Sequence, residues 1–236
     1  MTSSRKLRLR AAAALLFLLG LGLLSYPAAA NWARNAIFSR ERRSYEAEQT
    51  QADASGREAL DALYQEMRQY NERLLREGQE LTDPFSYEQP SFDLARFGLA
   101  DGVAGYLSIP RLGLVLPVYL GASRENLRRG AAHLSQTSLP IGGENTNAVI
   151  AAHCGLPQQD MFRHLDRLEP GDLVTLTNFR EELCYRVTQA EIIAPDDLQK
   201  VLIRPGRDML TLVTCHPYPT TRQRYLVYCD RVPASG

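Results

Sequence analysis

The chain of 236 residues carries 27 Lys and Arg against 27 Asp and Glu, so its formal net charge is zero. This balance argues against an electrostatic nucleic-acid binder. A hydrophobic fraction of 44% with 23% charged residues excludes a wholly disordered, collagen-like or polytopic membrane chain. Four cysteines are too few for a disulfide scaffold, and they do not form the CxxC pairs of a structural zinc site.

The N-terminus predicts a membrane anchor. A basic segment at 1–10 precedes an uncharged stretch at 11–30 that is rich in Leu and Ala and long enough to cross a bilayer as a helix. The positive-inside rule keeps the basic N-terminus in the cytoplasm and sends the rest of the chain outside, giving a single-pass protein of the cell membrane. The alternative is a cleaved signal peptide, because the three alanines at 28–30 offer a cleavage site.

The next segment, 31–80, predicts a helical stalk. It is polar and charged, with apolar residues at helical spacing from Leu60 to Leu74 and a break near 54–56. Gly78 ends this pattern, and the chain from 81 onward is predicted to be a loop.

Beyond Gly102, short apolar runs bounded by Gly, Pro and Asn predict an antiparallel barrel or sandwich. Short helices are predicted at 126–129 and 161–168. The predicted strands are Gly105–Ile109, Leu114–Leu120, Ala148–Ala152, Leu173–Thr177, Leu183–Gln189, Met209–Thr214 and Arg224–Cys229.

A cysteine and an arginine are predicted to meet at one mouth of this sheet. The run MLTLVTC at 209–215 ends in Cys215, and a loop with two prolines separates it from a strand that begins at Arg224. If the two strands pair across the loop, the guanidinium faces the thiol. Its five N–H donors suit an oxyanion or a peptide carbonyl, and its charge favours a thiolate.

His153 supplies a third chemical group. It follows an apolar strand and precedes Gly155, so its imidazole lies where a strand gives way to a loop. A nucleophilic cysteine that cleaves a peptide needs an acid to protonate the leaving amine, and histidine titrates in the required range. From spacing alone, the three residues are better explained as a buried thiol, a core histidine and a solvated arginine.

Several motifs in sequence order resemble the sortase family. They include TLVTC at 211–215, RYLV at 224–227 and HCGLP at 153–157, with supporting matches that extend the resemblance over 102–232. The resemblance implies a mainly β fold, an eight-stranded sortase β-barrel with short helices at 102–236, preceded by the helical stalk and the membrane anchor. It implies a cysteine transpeptidase in which Cys215 is the nucleophile, His153 the general acid and base, and Arg224 the stabiliser of substrate and oxyanion. No cofactor or metal ion is expected.

Within the family, the segment 81–101 resembles the lid of class C sortases, which polymerise pilins. Asp83, Pro84 and Phe85 match the Asp-Pro-aromatic motif of that lid and lie between a helical stalk and the barrel. The resemblance implies that the carboxylate pairs with a cationic site residue while the ring shields the sulfur. Alternatively, the Asp-Pro pair only ends the helix and begins a turn.

The sequence departs from the family pattern at three points. Cys154 follows the histidine where many relatives have arginine, and we expect an ordinary small side chain, although oxidation or a disulfide is chemically allowed. His216 follows the nucleophile and is a competing acid or base. The C-terminal span of many class C enzymes is not found. Four further residues are assigned no chemistry: His133, His164, and Cys184 and Cys229, which we expect to be core thiols.

Three functions follow from these features. The first is a sortase that cleaves an LPxTG-like sorting signal between Thr and Gly through a Cys215 thioester and transfers the acyl group to a pilin lysine. The second is a sortase that attaches surface proteins to the cell-wall peptide, which the absent C-terminal span favours. The third is a catalytically inactive, anchored binding barrel. The partners implied are a protein with the sorting signal, an amine acceptor and the membrane, with no nucleic acid.

Overall fold

The computed structural model describes residues 2–86, 94, 99, 102–156 and 159–233. Much of the predicted lid segment after 86, and Pro157 of the histidine motif, lie outside the described residues. The helices are α1 (Thr2–Gln51), α2 (Ala54–Glu77) and α3 (Arg124–Arg129). The strands are β1 (Val103–Ile109), β2 (Leu114–Leu120), β3 (Ala131–His133), β4 (Thr146–Ala151), β5 (Leu173–Asn178), β6 (Glu182–Ile193), β7 (Asp208–His216) and β8 (Gln223–Arg231).

The strands close into a barrel in the order β1-β2-β3-β4-β7-β8-β6-β5. The β2–β3 and β4–β7 pairs are parallel, and the other neighbours are antiparallel. Alternate strand positions point inward, so Leu210 and Leu212 of β7 are fully buried with Ile150 of β4 in one core. The predicted eight-stranded barrel is therefore confirmed. The apolar runs did not predict β3, because three residues are too few for alternation to be recognised.

The two short helices predicted within the barrel domain differ in outcome. Ser123 caps α3 by accepting a hydrogen bond from the amide of Asn126 at 3.2 Å, so the helix begins earlier than predicted. The second segment forms turns and a single 3₁₀ turn at Leu165–Arg167 instead of an α-helix.

Helix α1 continues from the apolar segment onto the barrel without a break. The span 10–51 contains one stretch long and apolar enough to cross a membrane, and its large apolar side chains near the N-terminus are exposed. Further along, Asn35 Oδ1 accepts a hydrogen bond from the amide of Val115 at 3.4 Å, and Phe38 enters the main barrel core. The C-terminal part of α1 thus packs lengthwise against the barrel.

Helix α2 packs against the barrel as an amphipathic helix. Its N-cap is Asp53, whose Oδ1 accepts from the amide of Gly56 at 2.7 Å. Leu63 and Met67 lie one turn apart on the buried face, in a core shared with β1 and β2. The helix ends at Gly78, whose φ of +92° favours glycine, and the chain then turns towards the β7–β8 end of the barrel.

Candidate active site

The pairing of β7 with β8 brings Cys215 and Arg224 together. The two residues lie directly opposite each other in the antiparallel register. Side chains of directly opposed residues lie on the same face of a sheet, so the thiol and the guanidinium share one end of the barrel. Each residue is only 5% exposed.

Hydrogen bonds on every side fix the Arg224 guanidinium. Its Nη1 donates to the carbonyls of Thr221 at 2.8 Å and Gln223 at 2.9 Å. Its Nε and Nη2 donate to the two carboxylate oxygens of Asp83 at 2.8 and 2.6 Å. Such a two-pronged ion pair is among the stronger polar contacts in proteins, and here both partners are largely removed from water.

His153 reaches the same end of the barrel because β4 runs parallel to β7. The two strands remain linked just beyond their last paired residues, where the amide of Ala152 donates to the carbonyl of Val213 at 3.2 Å. The hydroxyl of Thr214 then donates to the carbonyl of Ala152 at 2.8 Å. His153 therefore follows directly after the last hydrogen-bonded link between the two strands. Burial lowers the pKa of its imidazole below the usual value, which favours the neutral form.

Phe85 lies between the imidazole and the guanidinium. Its ring centroid is 5.9 Å from that of His153 and 5.0 Å from Cζ of Arg224. Together with Leu81, it also packs on the apolar cluster that includes Val213 of β7. Asp83 and Phe85 thus contact Arg224 and His153 at the end of the barrel that also holds Cys215, with the buried Pro84 between them in sequence.

Cys154 contacts the candidate nucleophile, which the sequence analysis did not anticipate. Each of the two thiols is the largest influence on the pKa of the other, so their side chains are neighbours. The neighbouring thiol lowers the pKa of Cys154 to about 7, against the effect of burial, and the cations of Arg163 and Arg224 lower it further. The proximity of Cys154, followed by burial, raises the pKa of Cys215. The pair therefore loses a first proton more readily than a second.

The remaining histidines and cysteines take other positions. His216 stacks on Tyr225 with ring centroids 5.6 Å apart, and His164 lies 3.9 Å from a carboxylate oxygen of Asp160. Cys184 and Cys229 are free thiols on β6 and β8, the first half-buried and the second buried. Among the described residues, no three His, Cys, Asp or Glu side chains form a group that holds a metal ion.

His133 is a buried scaffold residue that makes the fold sensitive to acid. Its Nε2 lies 3.1 Å from the carbonyl of Ser138, and burial lowers its pKa to about 4. An unfolded chain therefore binds a proton near pH 6.5 that the barrel does not bind until about pH 4. As the pH falls through this window, the free energy of unfolding is expected to drop, by about 3 kcal/mol when the change is complete.

Urea unfolding at pH 7.5 and pH 4.5 measures this effect. His133→Gln keeps an N–H donor but does not titrate, so its stability should depend less steeply on pH than that of the wild type. His164→Gln, at a half-exposed histidine, is the matched control and should follow the wild type. Equal pH dependence in wild type and His133→Gln would contradict the role given to His133.

A closed β-barrel with a thiol, an imidazole and a guanidinium at one end has the side chains of a cysteine transpeptidase site. The sortase domain model matches residues 107–232, more than half of the chain. The chain therefore belongs to the sortase family of cysteine transpeptidases.

Solved structures of class C sortases share this fold. Sortase C1 from pilus island 1 of GBS is 34% identical with a TM-score of 0.72, over 83% of this chain and 92% of that chain. Sortase C-1 from Streptococcus pneumoniae is 35% identical with a TM-score of 0.74, over 82% and 98%. Among curated proteins, sortase D of Bacillus subtilis is 28% identical over 132 residues, which cover 55% of this chain and 64% of that protein.

Proposed function

We propose that this sortase is a membrane-anchored pilin polymerase that cleaves an LPxTG-like sorting signal and joins the product to a lysine of another pilin. The observation that carries the proposal is the opposed pair Cys215 and Arg224, with Asp83 bound to the guanidinium and Phe85 against the neighbouring His153. Similarity to class C sortases, including one from a pilus island, supports the pilin assignment.

In the first step, neutral His153 accepts the proton of the Cys215 thiol, and the thiolate attacks the carbonyl carbon of the threonine in the sorting signal. Negative charge develops on the carbonyl oxygen, and the N–H groups of Arg224 stabilise it. The bond to glycine then breaks, and His153 in its protonated form gives a proton to the departing amine. The products are a thioester on Cys215 and a free amino terminus.

In the second step, an amine resolves the thioester. The lysine amine attacks the thioester carbonyl while neutral His153 accepts its proton, and Cys215 leaves as a thiolate. An amide replaces the thioester, so the cycle consumes no nucleotide and no cofactor. The burial that lowers the pKa of His153 supports the neutral imidazole required in this step.

We propose that Asp83, Pro84 and Phe85 act as a lid over this chemistry. In the closed arrangement, Asp83 occupies the guanidinium that the substrate needs, and Phe85 packs on the imidazole. Substrate access then requires the segment to move away, after which Arg224 is free to bind the peptide carbonyl.

We propose that segment 11–30 crosses the membrane, with the basic N-terminus in the cytoplasm. Asn31, the first residue after this segment, exchanges two hydrogen bonds with Asp160, one of them from the Asp160 amide at 2.8 Å. Asp160 belongs to the loop that follows His153, so the anchor emerges beside the active-site end of the barrel. A sorting signal presented close to the membrane surface is then within reach of Cys215.

Mass spectrometry of the full chain with an LPxTG-like peptide tests the proposal. Wild type should gain the mass of the acyl fragment on the peptide that contains Cys215, and Cys215→Ala should gain none. Adding a lysine-bearing pilin domain or a cell-wall peptide amine then reveals which acceptor discharges the thioester. No adduct on wild type, or the same adduct on Cys215→Ala, rejects the catalytic assignment, and discharge by the cell-wall peptide alone rejects the pilin assignment.

A further inference from the structure

Two free thiols meet in the site, although transpeptidation uses only one of them. The side chains of Cys154 and Cys215 are neighbours, since each has the largest influence on the pKa of the other, and neither is in a disulfide. Their strands, β4 and β7, are parallel neighbours that remain hydrogen-bonded as far as Ala152 and Thr214. Neighbouring strands lie about 4.8 Å apart, and disulfides accept Cα separations of roughly 4.4–6.8 Å, so the spacing of the two strands suits a disulfide at this edge of the barrel. Cys154 lies in the loop just beyond the end of β4, so bringing the two sulfurs into bonding range alters that loop and not the paired strands.

The two thiols differ in accessibility and in charge. Cys154 is half-buried, whereas Cys215 is 5% exposed, so a small oxidant in solution meets Cys154 first. The neighbouring Cys215 thiol is the main cause that lowers the pKa of Cys154, and two arginines assist it. Oxidants attack the thiolate form, so exposure and charge both favour Cys154 as the sulfur that reacts first.

The backbone next to Cys154 is shaped to admit one of these cations. Gly155 has a φ of +108°, and a Cβ at this position would lie 2.5 Å from Nε of Arg163. Any larger residue would therefore push the guanidinium away from the Cys154 loop. On its other side, Arg163 lies over the ring of Tyr218, with Cζ 4.7 Å from the ring centroid. The positive charge beside Cys154 is thus held by packing on two sides.

We propose that Cys154 is a redox partner of Cys215, and that a peroxide converts the pair into a reversible disulfide that stops transpeptidation and protects the nucleophile. The Cys154 thiolate attacks one oxygen of hydrogen peroxide, the O–O bond breaks, and hydroxide leaves. Cys215 then attacks the sulfur of the Cys154 sulfenic acid, an S–S bond forms, and the oxygen leaves as water. Two thiols and one peroxide thus give one disulfide and two waters.

The disulfide has two consequences for the enzyme. In the disulfide, the sulfur of Cys215 is not a thiolate, so it does not attack a sorting signal. The same engagement prevents further oxidation of Cys215 to the sulfinic acid, which is irreversible for most proteins. The effect of the disulfide on activity rests on the proposed role of Cys215 as nucleophile. Formation of the disulfide does not depend on that role.

A peptide map of the full chain in detergent tests the bond. The reduced protein is treated with a several-fold molar excess of hydrogen peroxide, alkylated, and digested with trypsin without a reductant. Cleavage at the flanking arginines places Cys154 in peptide 130–163 and Cys215 in peptide 208–222. The expected product is these two peptides joined by a disulfide, with the loss of two hydrogens. The oxidised protein should form no thioester, and dithiothreitol should restore thioester formation.

Two variants sharpen the test. In Cys154→Ser, the same treatment should add two or three oxygens to Cys215, and dithiothreitol should no longer restore thioester formation. Cys184→Ser, which removes a half-buried thiol elsewhere on the barrel, should behave like wild type. Unlinked peptides 130–163 and 208–222 in oxidised wild type, or full recovery of Cys154→Ser, overturns the proposal. A reduced wild type that forms no thioester rejects the proposed function instead, because the peptide map still decides whether the disulfide forms.

Discussion

Replacing Asp83 and Phe85 together with alanine is expected to raise the rate at which a methanethiosulfonate reagent labels Cys215. The closed segment is held by a two-pronged ion pair to Arg224 and by the contacts of the Phe85 ring. Hydrogen bonds between charged groups contribute about 1.5–3 kcal/mol, so losing them increases the open population by roughly ten- to a hundredfold. Because the reagent reaches Cys215 only when the segment is open, the rate at which Cys215 is labelled increases by the same factor.

The site of labelling must be read from peptides, because Cys154 is also reactive. Tryptic peptides 130–163 and 208–222 separate the two thiols, and only the second reports on the proposed lid. The double variant Glu80→Ala with Ser86→Ala is the matched control, since both residues are exposed and flank the same segment. An unchanged labelling rate of Cys215 in the Asp83 and Phe85 variant would mean that the segment is only a linker.

Opening the segment should also change the pH dependence of labelling. Burial and the negative charge of Asp83 both contribute to the raised pKa of Cys215, after the proximity of Cys154. Removing the carboxylate and admitting water therefore lowers the pH at which the Cys215 thiolate appears. A variant that only admits water, without removing the charge, shows only the part of this effect that comes from burial.

The part of the site encoded in one short stretch was predictable from the sequence. Strand alternation in 209–215 and the loop with two prolines were enough to predict Cys215 opposite Arg224, and the register of β7 with β8 has that pair. Alternation within the two strands predicts which residues face each other because the strands form a single hairpin. His153 is different, since its strand is far from β7 in sequence and pairs with it in parallel. The chemistry of a nucleophilic cysteine suggested a histidine, but only the family resemblance favoured His153 as a catalytic residue over a core one.

The same limit explains what the sequence analysis missed. Contact between Cys154 and Cys215 depends on the register of β4 against β7, which no local pattern specifies. The segment after Asn31 has few apolar residues and resembles a solvated stalk. Phe38 and Tyr45, which are about two helical turns apart, are nevertheless buried against the barrel. Two apolar residues seven apart are too weak a signal to distinguish a free helix from a packed one.

Arg224→Ala is expected to separate catalysis from access, because the guanidinium serves both. Loss of a donor to the developing oxyanion lowers the rate of acyl transfer by about 10²–10³-fold. The same change removes the partner of Asp83, so labelling of Cys215 should become faster even as thioester formation becomes slower. Single-turnover thioester formation followed by mass spectrometry, with labelling measured in parallel, reports the two opposite effects.

Arg224→Lys tests whether charge alone is sufficient. A lysine keeps one positive charge but does not donate at once to the carboxylate of Asp83 and to the carbonyls of Thr221 and Gln223. The rate of thioester formation in Arg224→Lys should therefore stay well below that of wild type. Arg222→Ala, at an exposed arginine of the same loop, should change the rate by no more than about twofold. A wild-type rate of thioester formation in Arg224→Lys would mean that only the positive charge of the guanidinium matters. An unchanged rate in Arg224→Ala would mean that the guanidinium takes no part in the reaction.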